Sequence, residues 1–214
     1  MERITKDDLV QLIQAVAEDM IAASDTLNAL DRAIGDGDLG ITVTLGFQAI
    51  RKLLSGSVHE DVQAILSGCG MAFADNAAST FGALMATMFS CAAKTVKGKV
   101  TIGPEDGAAI LKAAAEGAQK CGNANLGDKT ILDALVPASD SFQKSSLSGQ
   151  SLLTCMKAGL HAAQTGVEQT INMRSKAGRA AWLGDRTVGS KDPGAVAFLM
   201  MFESATNFME NSGQ

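Results

Sequence analysis

The sequence predicts a single all-α domain, and three of its features lead to that prediction. Hydrophobic residues make up 46% of the 214 residues and charged residues 19%, proportions that are typical of a globular chain. Aromatic residues make up only 4% and Tyr is absent, whereas Ala, Leu and Met, which favour helices over strands, are plentiful. No linker rich in Pro, Ser or Gly and no fixed-period repeat divides the chain, so we expect one domain over residues 1–214.

Hydrophobic residues recur at helical spacing in eight segments. Thr5, followed by Asp7 and Asp8, predicts the N-cap and the acidic first turn of the first helix. Pro104 suits the first turn of the fifth helix, and Pro193 opens the last one. The predicted helices cover residues 6–30, 41–54, 58–74, 81–96, 104–120, 130–147, 150–170 and 194–208.

The connections between these helices predict where a site would lie. Most of them are short, so neighbouring helices should run antiparallel, and loops after odd-numbered helices should share one end of the domain. Three longer polar loops, residues 31–40, 123–129 and 173–192, follow the first, fifth and seventh helices. The loop with Ser79 and Thr80 follows the third helix and belongs to the same end. We therefore expect the functional site where these four loops meet.

Residues 31–40, hereafter the aspartate loop, have the composition of a site for a hard metal ion. Asp31, Asp36 and Asp38 fall within eight residues, and the glycines beside them permit backbone conformations that turn all three carboxylates toward one point. Oxygen ligands without nearby Cys or His favour Mg²⁺ or Ca²⁺ over Zn²⁺. An ordinary solvated turn is the alternative, because Asp and Gly are common turn residues and the EF-hand pattern is absent.

Composition and charge argue against several other classes of protein. The net charge of −5 and the lack of a long Lys/Arg cluster argue against a nucleic-acid surface. The N-terminal segment lacks the apolar region of a secretory signal, and the uncharged run 76–93 contains polar residues that suit a buried helix better than a membrane span. The four cysteines form no C-x-x-C pair and are expected to be reduced. We expect a cytoplasmic protein without a membrane partner.

Three motifs occur in register along the chain. They are LDRAIGDGDLG at residues 30–40, GDKTILD at 127–133, and KAGRAAWLGDR at 176–186 followed by DPGA at 192–195. Together they resemble the nucleotide-binding L subunit of dihydroxyacetone (glycerone) kinases, in the same order and spacing over nearly the whole chain. The resemblance implies an antiparallel eight-helix barrel with the nucleotide and metal site at one end, which agrees with the helix count.

The resemblance also implies roles for individual residues. Asp31, Asp36 and Asp38 would hold two Mg²⁺ ions that bridge the phosphates of ATP or ADP, as phosphoryl transfer requires. The helix start after the aspartate loop and the hydroxyls of Ser79 and Thr80 would face the phosphates, and residues 173–192, hereafter the lid segment, would close over the nucleotide. No residue beyond the metal ligands is assigned a catalytic role. The implied nucleotide-binding residues are Leu39, Gly40, Ile41, Thr42, Ser79, Thr80, Gly122, Ile131, Arg179, Asp192, Pro193 and Gly194.

Two departures from the family pattern concern the phosphate donor and the acceptor. The family often has His where this chain has Leu39, and a gap-free alignment places Phe81 where the family has Ser. Either ATP exchanges at each turnover, or bound ADP is rephosphorylated by a phosphotransferase-system protein, and the departures favour ATP. The resemblance further implies that dihydroxyacetone or a related short ketose binds a separate K subunit, so that this chain is inactive alone.

Other functions remain open at this level. The main alternative is a non-catalytic regulatory protein that is loaded with nucleotide and acts through a protein partner. A metal-dependent phosphohydrolase lacks an evident residue to activate water. Besides the K subunit, a phosphotransferase-system donor protein or a second copy of the chain, in a homodimer, is a candidate partner.

Overall fold

The computed structural model describes residues 3–56 and 60–212, and most of them are helical. Two short strands, β1 (Ile4–Thr5) and β2 (Thr101–Ile102), pair antiparallel. Two 3₁₀ helices, Thr170–Asn172 and Arg179–Thr187, lie before the last α-helix. The α-helices of the described residues are α1 (Lys6–Ala22), α2 (Ser24–Ile34), α3 (Leu39–Gly56), α4 (Val62–Asn76), α5 (Thr80–Thr95), α6 (Pro104–Gly122), α7 (Leu132–Leu147), α8 (Leu152–Gln169) and α9 (Pro193–Ser212).

The helices close into a barrel. Each of α1, α3, α4, α5, α6, α7, α8 and α9 packs against the next, and α9 packs back against α1. The remaining helix, α2, contacts α3, α9 and the 3₁₀ helix Arg179–Thr187 instead. The predicted all-α class and the eight-helix barrel are therefore confirmed. In the described part of the chain, no helix combines the length and the apolar character needed to cross a membrane.

The first predicted helix differs from the structure in one respect. It splits at Ala23, where the backbone has φ −78° and ψ 0°, into α1 and α2, and α2 continues to Ile34. Asp31 therefore lies in the last turns of a helix and not in a loop. The break gives α2 its own direction, so that it can lie against the start of α3. The predicted start of the third helix, at residue 58, falls outside the described residues, as does His59.

The helix caps follow local chemistry. The Thr5 hydroxyl accepts a hydrogen bond from the Asp8 amide at 3.2 Å, and the Asp8 carboxylate accepts one from the Thr5 amide at 2.8 Å, which confirms Thr5 as the N-cap of α1. These bonds from Thr5 lower the pKa of Asp8. Small aliphatic side chains fill most of the core, and Phe47 packs edge-to-face on Phe73 with ring centroids 5.2 Å apart.

Gly40 lets α2 and α3 approach each other closely. A Cβ atom at this position would lie 2.0 Å from the Ser24 carbonyl oxygen and 2.8 Å from Asn28 Oδ1. Neither neighbour can move without displacing α2, because one is backbone and the other accepts a hydrogen bond from the Gly40 amide at 2.7 Å. Gly40 therefore sets the distance between the helix that carries Asp31 and the helix that follows the aspartate loop.

We expect Gly40→Ala to reduce the free energy of unfolding by about 1–3 kcal/mol, because the added methyl group overpacks this contact. Gly56→Ala is the matched control in the same helix, since no atom that the structure describes lies within 4 Å of a Cβ there. It should leave stability unchanged or raise it by less than ~1 kcal/mol through helix propensity. Denaturant unfolding of both variants measures the difference. Equal effects would mean that the approach of α2 to α3 is not limited by Gly40.

Candidate functional site

A cavity of about 230 Å³ opens at one end of the barrel. Its wall is formed by the aspartate loop, the start of α5, the end of α6 with the loop before α7, and the lid segment with the start of α9. These are the four regions that the sequence analysis placed together. The wall contains Asp31, Asp36 and Asp38 and, from the predicted nucleotide-binding set, Leu39, Thr42, Ser79, Thr80, Gly122, Ile131, Arg179, Asp192, Pro193 and Gly194.

Gly40 and Ile41 do not belong to this wall. The Gly40 amide donates to Asn28 and so does not face the cavity, and the Ile41 side chain is 55% exposed on the outer face of α3. Gly40 lies at the packing contact between α2 and α3, and contact of Gly40 or Ile41 with nucleotide stays a prediction.

The aspartate loop is folded around the carboxylate of Asp31. Asp31 Oδ2 accepts hydrogen bonds from the amides of Gly37, Asp38 and Leu39 at 2.9, 3.0 and 3.3 Å. Gly37 has φ 79°, a backbone conformation that favours glycine, and this turn brings the three amides onto one oxygen. The first amides of α3 are thus used within the loop itself.

The three predicted metal ligands lie close together. One side-chain oxygen from each of Asp31, Asp36 and Asp38 lies within 4.8 Å of the other two. Asp31 is half-buried, whereas Asp36 and Asp38 are exposed. Gly35 leaves the space beside Asp31 Oδ1 open, because a Cβ there would lie 2.1 Å from that oxygen. Carboxylates this close repel one another, and Arg179 Nη1 offsets part of that repulsion by pairing with Asp36 Oδ2.

Ser79 and the residues after it begin α5 at the cavity. Ser79 is the N-cap of the helix, and its Oγ accepts a hydrogen bond from the Gly82 amide at 3.0 Å. The Thr80 side chain is exposed in the first turn, and the half-buried Phe81 lines the cavity. The Ser79 and Thr80 hydroxyls thus share the cavity wall with the apolar ring of Phe81, the residue that aligns with the Ser of the family pattern.

The lid segment is more ordered than the sequence indicated. It contains the 3₁₀ helix Arg179–Thr187, which is kinked at Gly184, where φ is 57°. Hydrogen bonds tie its base: the Ser175 amide donates to Thr187 Oγ1 at 3.0 Å, and the Lys176 amide donates to the Asp128 carbonyl at 3.0 Å. Its tip is open to solvent, with the Trp182 side chain 92% exposed.

Lys129 is the main residue of the site that the sequence analysis missed. Only 1% of it is exposed, and its ammonium donates to the carbonyl oxygens of Met173 at 3.1 Å, Ser190 at 2.6 Å and Thr187. It lies inside the GDKTILD motif, but lysine is normally an exposed residue, and nothing in the motif marks it as buried.

Comparison with known proteins identifies the family. A family model described as the DAK2 domain matches residues 33–207. The chain belongs to the DAK2 domain family.

Similar proteins are named as dihydroxyacetone kinase components. The chain is 29% identical to the Escherichia coli K12 PEP-dependent dihydroxyacetone kinase, ADP-binding subunit DhaL, over 94% of this chain and 95% of the relative. It is 32% identical to a Listeria innocua protein named PEP-dependent dihydroxyacetone kinase 2, ADP-binding subunit DhaL, over 83% and 82% of the two chains. The crystal structure of the C. freundii dihydroxyacetone kinase in complex with AMP-PNP and Mg²⁺ matches with a TM-score of 0.71 and 26% identity. That match covers 92% of this chain and 33% of the C. freundii chain.

Two buried carboxylates accept hydrogen bonds from backbone amides near the cavity of this DAK2 domain. Asp133 accepts hydrogen bonds from the amides of Gly127 at 2.6 Å and Thr130 at 2.8 Å, and it is thus an internal hydrogen-bond partner of the loop before α7. Asp192 is the N-cap of α9 and accepts from the Ala195 amide at 2.7 Å. Burial raises the pKa of Asp192 to about 7, and the charge of Asp133 adds to the rise, while the Ala195 amide and the Lys129 ammonium oppose it.

This raised pKa predicts a pH dependence of stability. The folded-state pKa of Asp192 lies above its value in the unfolded chain, so its stabilising contribution is full below about pH 4 and is lost as the pH rises through about 7. Asp192→Asn keeps the N-cap and does not titrate. From pH 4 to pH 8 we expect wild type to lose stability relative to Asp192→Asn, on the order of 2–4 kcal/mol. Denaturant unfolding at both pH values measures this, with Asp140→Asn, an exposed carboxylate of α7, as the control. Parallel pH profiles for wild type and Asp192→Asn would contradict the assignment.

Proposed function

We propose that this chain is the nucleotide- and Mg²⁺-binding subunit of a two-component kinase that phosphorylates dihydroxyacetone or a related short ketose. In this proposal all of residues 1–214 form one L-type nucleotide-binding domain. The observation that carries the proposal is the cluster of Asp31, Asp36 and Asp38 at the mouth of a cavity that Arg179 also lines. The names of the relatives support it, since two of them are ADP-binding subunits of dihydroxyacetone kinases.

The donor set of the cluster fits Mg²⁺. Its ligand atoms are carboxylate oxygens, and the cavity wall formed by the described residues contains no His or Cys. Because backbone amides occupy Asp31 Oδ2, Oδ1 is the oxygen left for a metal, and Gly35 keeps the space beside it open. The exposed Asp36 and Asp38 are free to turn toward the same point. We propose that the three aspartates hold two ions, which when bound neutralise the phosphate oxygens and align them for in-line transfer.

The other residues of the cavity would bind and shield the nucleotide. Thr42, Ser79 and Thr80 bring hydroxyls to the side where the phosphates would lie, next to the aspartate loop. Gly122 and Ile131 lie on the apolar side with Leu84 and Ala118, which suits a purine ring. Arg179 would leave Asp36 for the phosphates once metal neutralises the carboxylates. The lid segment would then exclude water from a phosphoryl group that is ready for transfer.

Two phosphoryl donors are consistent with this site. The C. freundii kinase in complex with AMP-PNP, an ATP analogue, supports ATP as the donor. The E. coli and Listeria relatives are named PEP-dependent, which supports a bound ADP that is rephosphorylated by another protein. The preference for ATP that Leu39 and Phe81 suggested is therefore not confirmed. An assay that compares ATP with phosphoenolpyruvate plus its phosphotransferase proteins decides between the donors.

We expect ADP binding to require both divalent metal and the aspartate cluster. Asp38→Asn removes one charged ligand and keeps the backbone amide that donates to Asp31, so it should weaken Mg²⁺-ADP binding by roughly tenfold or more. Removing Mg²⁺ with a chelator should weaken binding to wild type at least as much. Asp185→Asn is the control, because this exposed lid carboxylate pairs with Arg174 away from the cavity.

Isothermal titration with ADP measures all four affinities. If ADP binds wild type equally well with and without Mg²⁺, or binds Asp38→Asn as well as Asp185→Asn, the metal assignment is wrong.

We also expect the chain to need a second protein for sugar phosphorylation. The cavity wall formed by the described residues offers no His for capturing a ketone, and the Lys129 amine in that wall is engaged with three carbonyl oxygens. His161 is exposed on α8, away from the cavity. Incubation with Mg²⁺, dihydroxyacetone and either donor system should give negligible product, and addition of a matching K subunit should give robust turnover. Turnover by the chain alone would show that it carries its own sugar site. Nucleotide binding without turnover in any combination would favour the regulatory alternative.

A further inference from the structure

Lys129 occupies an unfavourable position that its neighbours must compensate. It is 99% buried, although lysine is rarely buried, and its backbone has φ 59°, a left-handed conformation that is uncommon for residues other than glycine. Burial lowers the pKa of its ammonium, and the charge of Asp192 opposes that change. A buried cation is tolerated only where its hydrogen bonds and charge are compensated.

All three N–H donors of the Lys129 ammonium are used by the lid segment. They point to the carbonyl oxygens of Met173, Thr187 and Ser190. An ammonium group has three donors and no acceptor, so none remains for a phosphate. Lys129 also lines the cavity, where a lysine would ordinarily be interpreted as a phosphate ligand. Its hydrogen bonds indicate a different role.

The three carbonyls belong to the two ends of the lid segment. Met173 is its first residue, and Thr187 and Ser190 lie where the chain returns toward α9. Between these ends the 3₁₀ helix Arg179–Thr187 carries Arg179 to Asp36. Because one side chain holds both ends, the path of the intervening residues is restricted, and less conformational entropy is lost when the tip adopts its bound position.

We propose that Lys129 is a positioning residue that fixes the lid segment, so that Arg179 reaches the aspartate loop, and that it acts on nucleotide only through Arg179. The nucleotide part of this inference rests on the proposed function. The attachment of the lid segment does not, and it is tested without any ligand.

The first experiment measures the attachment directly. An arginine-specific protease should cleave Lys129→Met after Arg179 and Arg186 roughly tenfold faster than wild type, at a temperature where circular dichroism shows both proteins folded. Lys176→Met is the matched control, because it removes an exposed lid lysine that bonds only to the Gly127 carbonyl and the Asp128 carboxylate. If Lys129→Met is cleaved no faster than Lys176→Met, the proposal is overturned.

The second experiment is a double-mutant cycle on Mg²⁺-ADP affinity. Lys129→Met and Arg179→Ala should each weaken binding by roughly tenfold, and the double variant should be weakened by roughly tenfold as well, because both changes remove one contribution. A loss of roughly a hundredfold in the double variant would mean independent effects, as a merely structural role of Lys129 predicts, and would overturn the proposal.

Two outcomes need a separate treatment: a Lys129→Met variant that does not fold, and a wild-type protein that does not bind Mg²⁺-ADP. If Lys129→Met does not fold, Lys129→Gln takes its place in both experiments, because its shorter, neutral side chain has two N–H donors for three carbonyls and should change cleavage and affinity in the same direction. If wild type does not bind Mg²⁺-ADP, the proposed function fails, and the ligand-free cleavage comparison alone decides whether Lys129 fixes the lid segment.

Discussion

The end of the barrel depends on how the chain holds the Asp31 carboxylate. Three consecutive amides, from Gly37 to Leu39, donate to one of its oxygens, so that the carboxylate satisfies backbone groups that the short loop leaves without carbonyl partners. The same bonds turn the loop so that Asp36 and Asp38 come within 4.8 Å of Asp31. Asp31 thus organises the backbone with one oxygen and faces the cavity with the other. The close contact of α2 with α3 at Gly40 keeps this geometry in place.

Two cations offset the negative charge of the site in different ways. Arg179 is exposed and pairs with the exposed Asp36, so solvent screens that pair, and in our proposal a metal ion takes the place of the arginine. Lys129 is buried beside Asp192 and is held by three carbonyls, an arrangement that would be costly to break. In our proposal, the cation that changes partner is Arg179 on the 3₁₀ helix of the lid segment, and the cation that stays in place is Lys129, which holds the two ends of that segment. This distribution suits a lid that changes position without detaching.

The sequence predicted the helices well because hydrophobic periodicity and caps such as Thr5 are local signals. It also predicted that Asp31, Asp36 and Asp38 converge, since the glycines beside them permit backbone conformations, such as the positive φ of Gly37, that turn the carboxylates toward one point. It did not predict the break at Ala23, because the break follows from the packing of α2 against α3 and not from a local sequence preference. It did not predict the burial of Lys129 for a similar reason. The partners of the Lys129 ammonium are backbone carbonyls 44 to 61 residues away, and every residue has a backbone carbonyl, so the sequence does not identify which ones are used. The sequence also did not indicate that Asn28, twelve residues earlier, accepts a hydrogen bond from the Gly40 amide.

Leu39 and Phe81 explain why the chain behaves as half of an enzyme in our proposal. Both place apolar surface on the cavity wall, next to the carboxylates and the hydroxyls of α5. Apolar surface near a bound phosphate strengthens electrostatic interactions with it and provides no group for proton transfer. Among the described residues, the groups that the cavity presents to a phosphate are thus charged ligands and hydroxyl donors, which position and neutralise. In our proposal the three aspartates are engaged with metal ions, and the base that deprotonates the sugar hydroxyl comes with the acceptor from the other subunit.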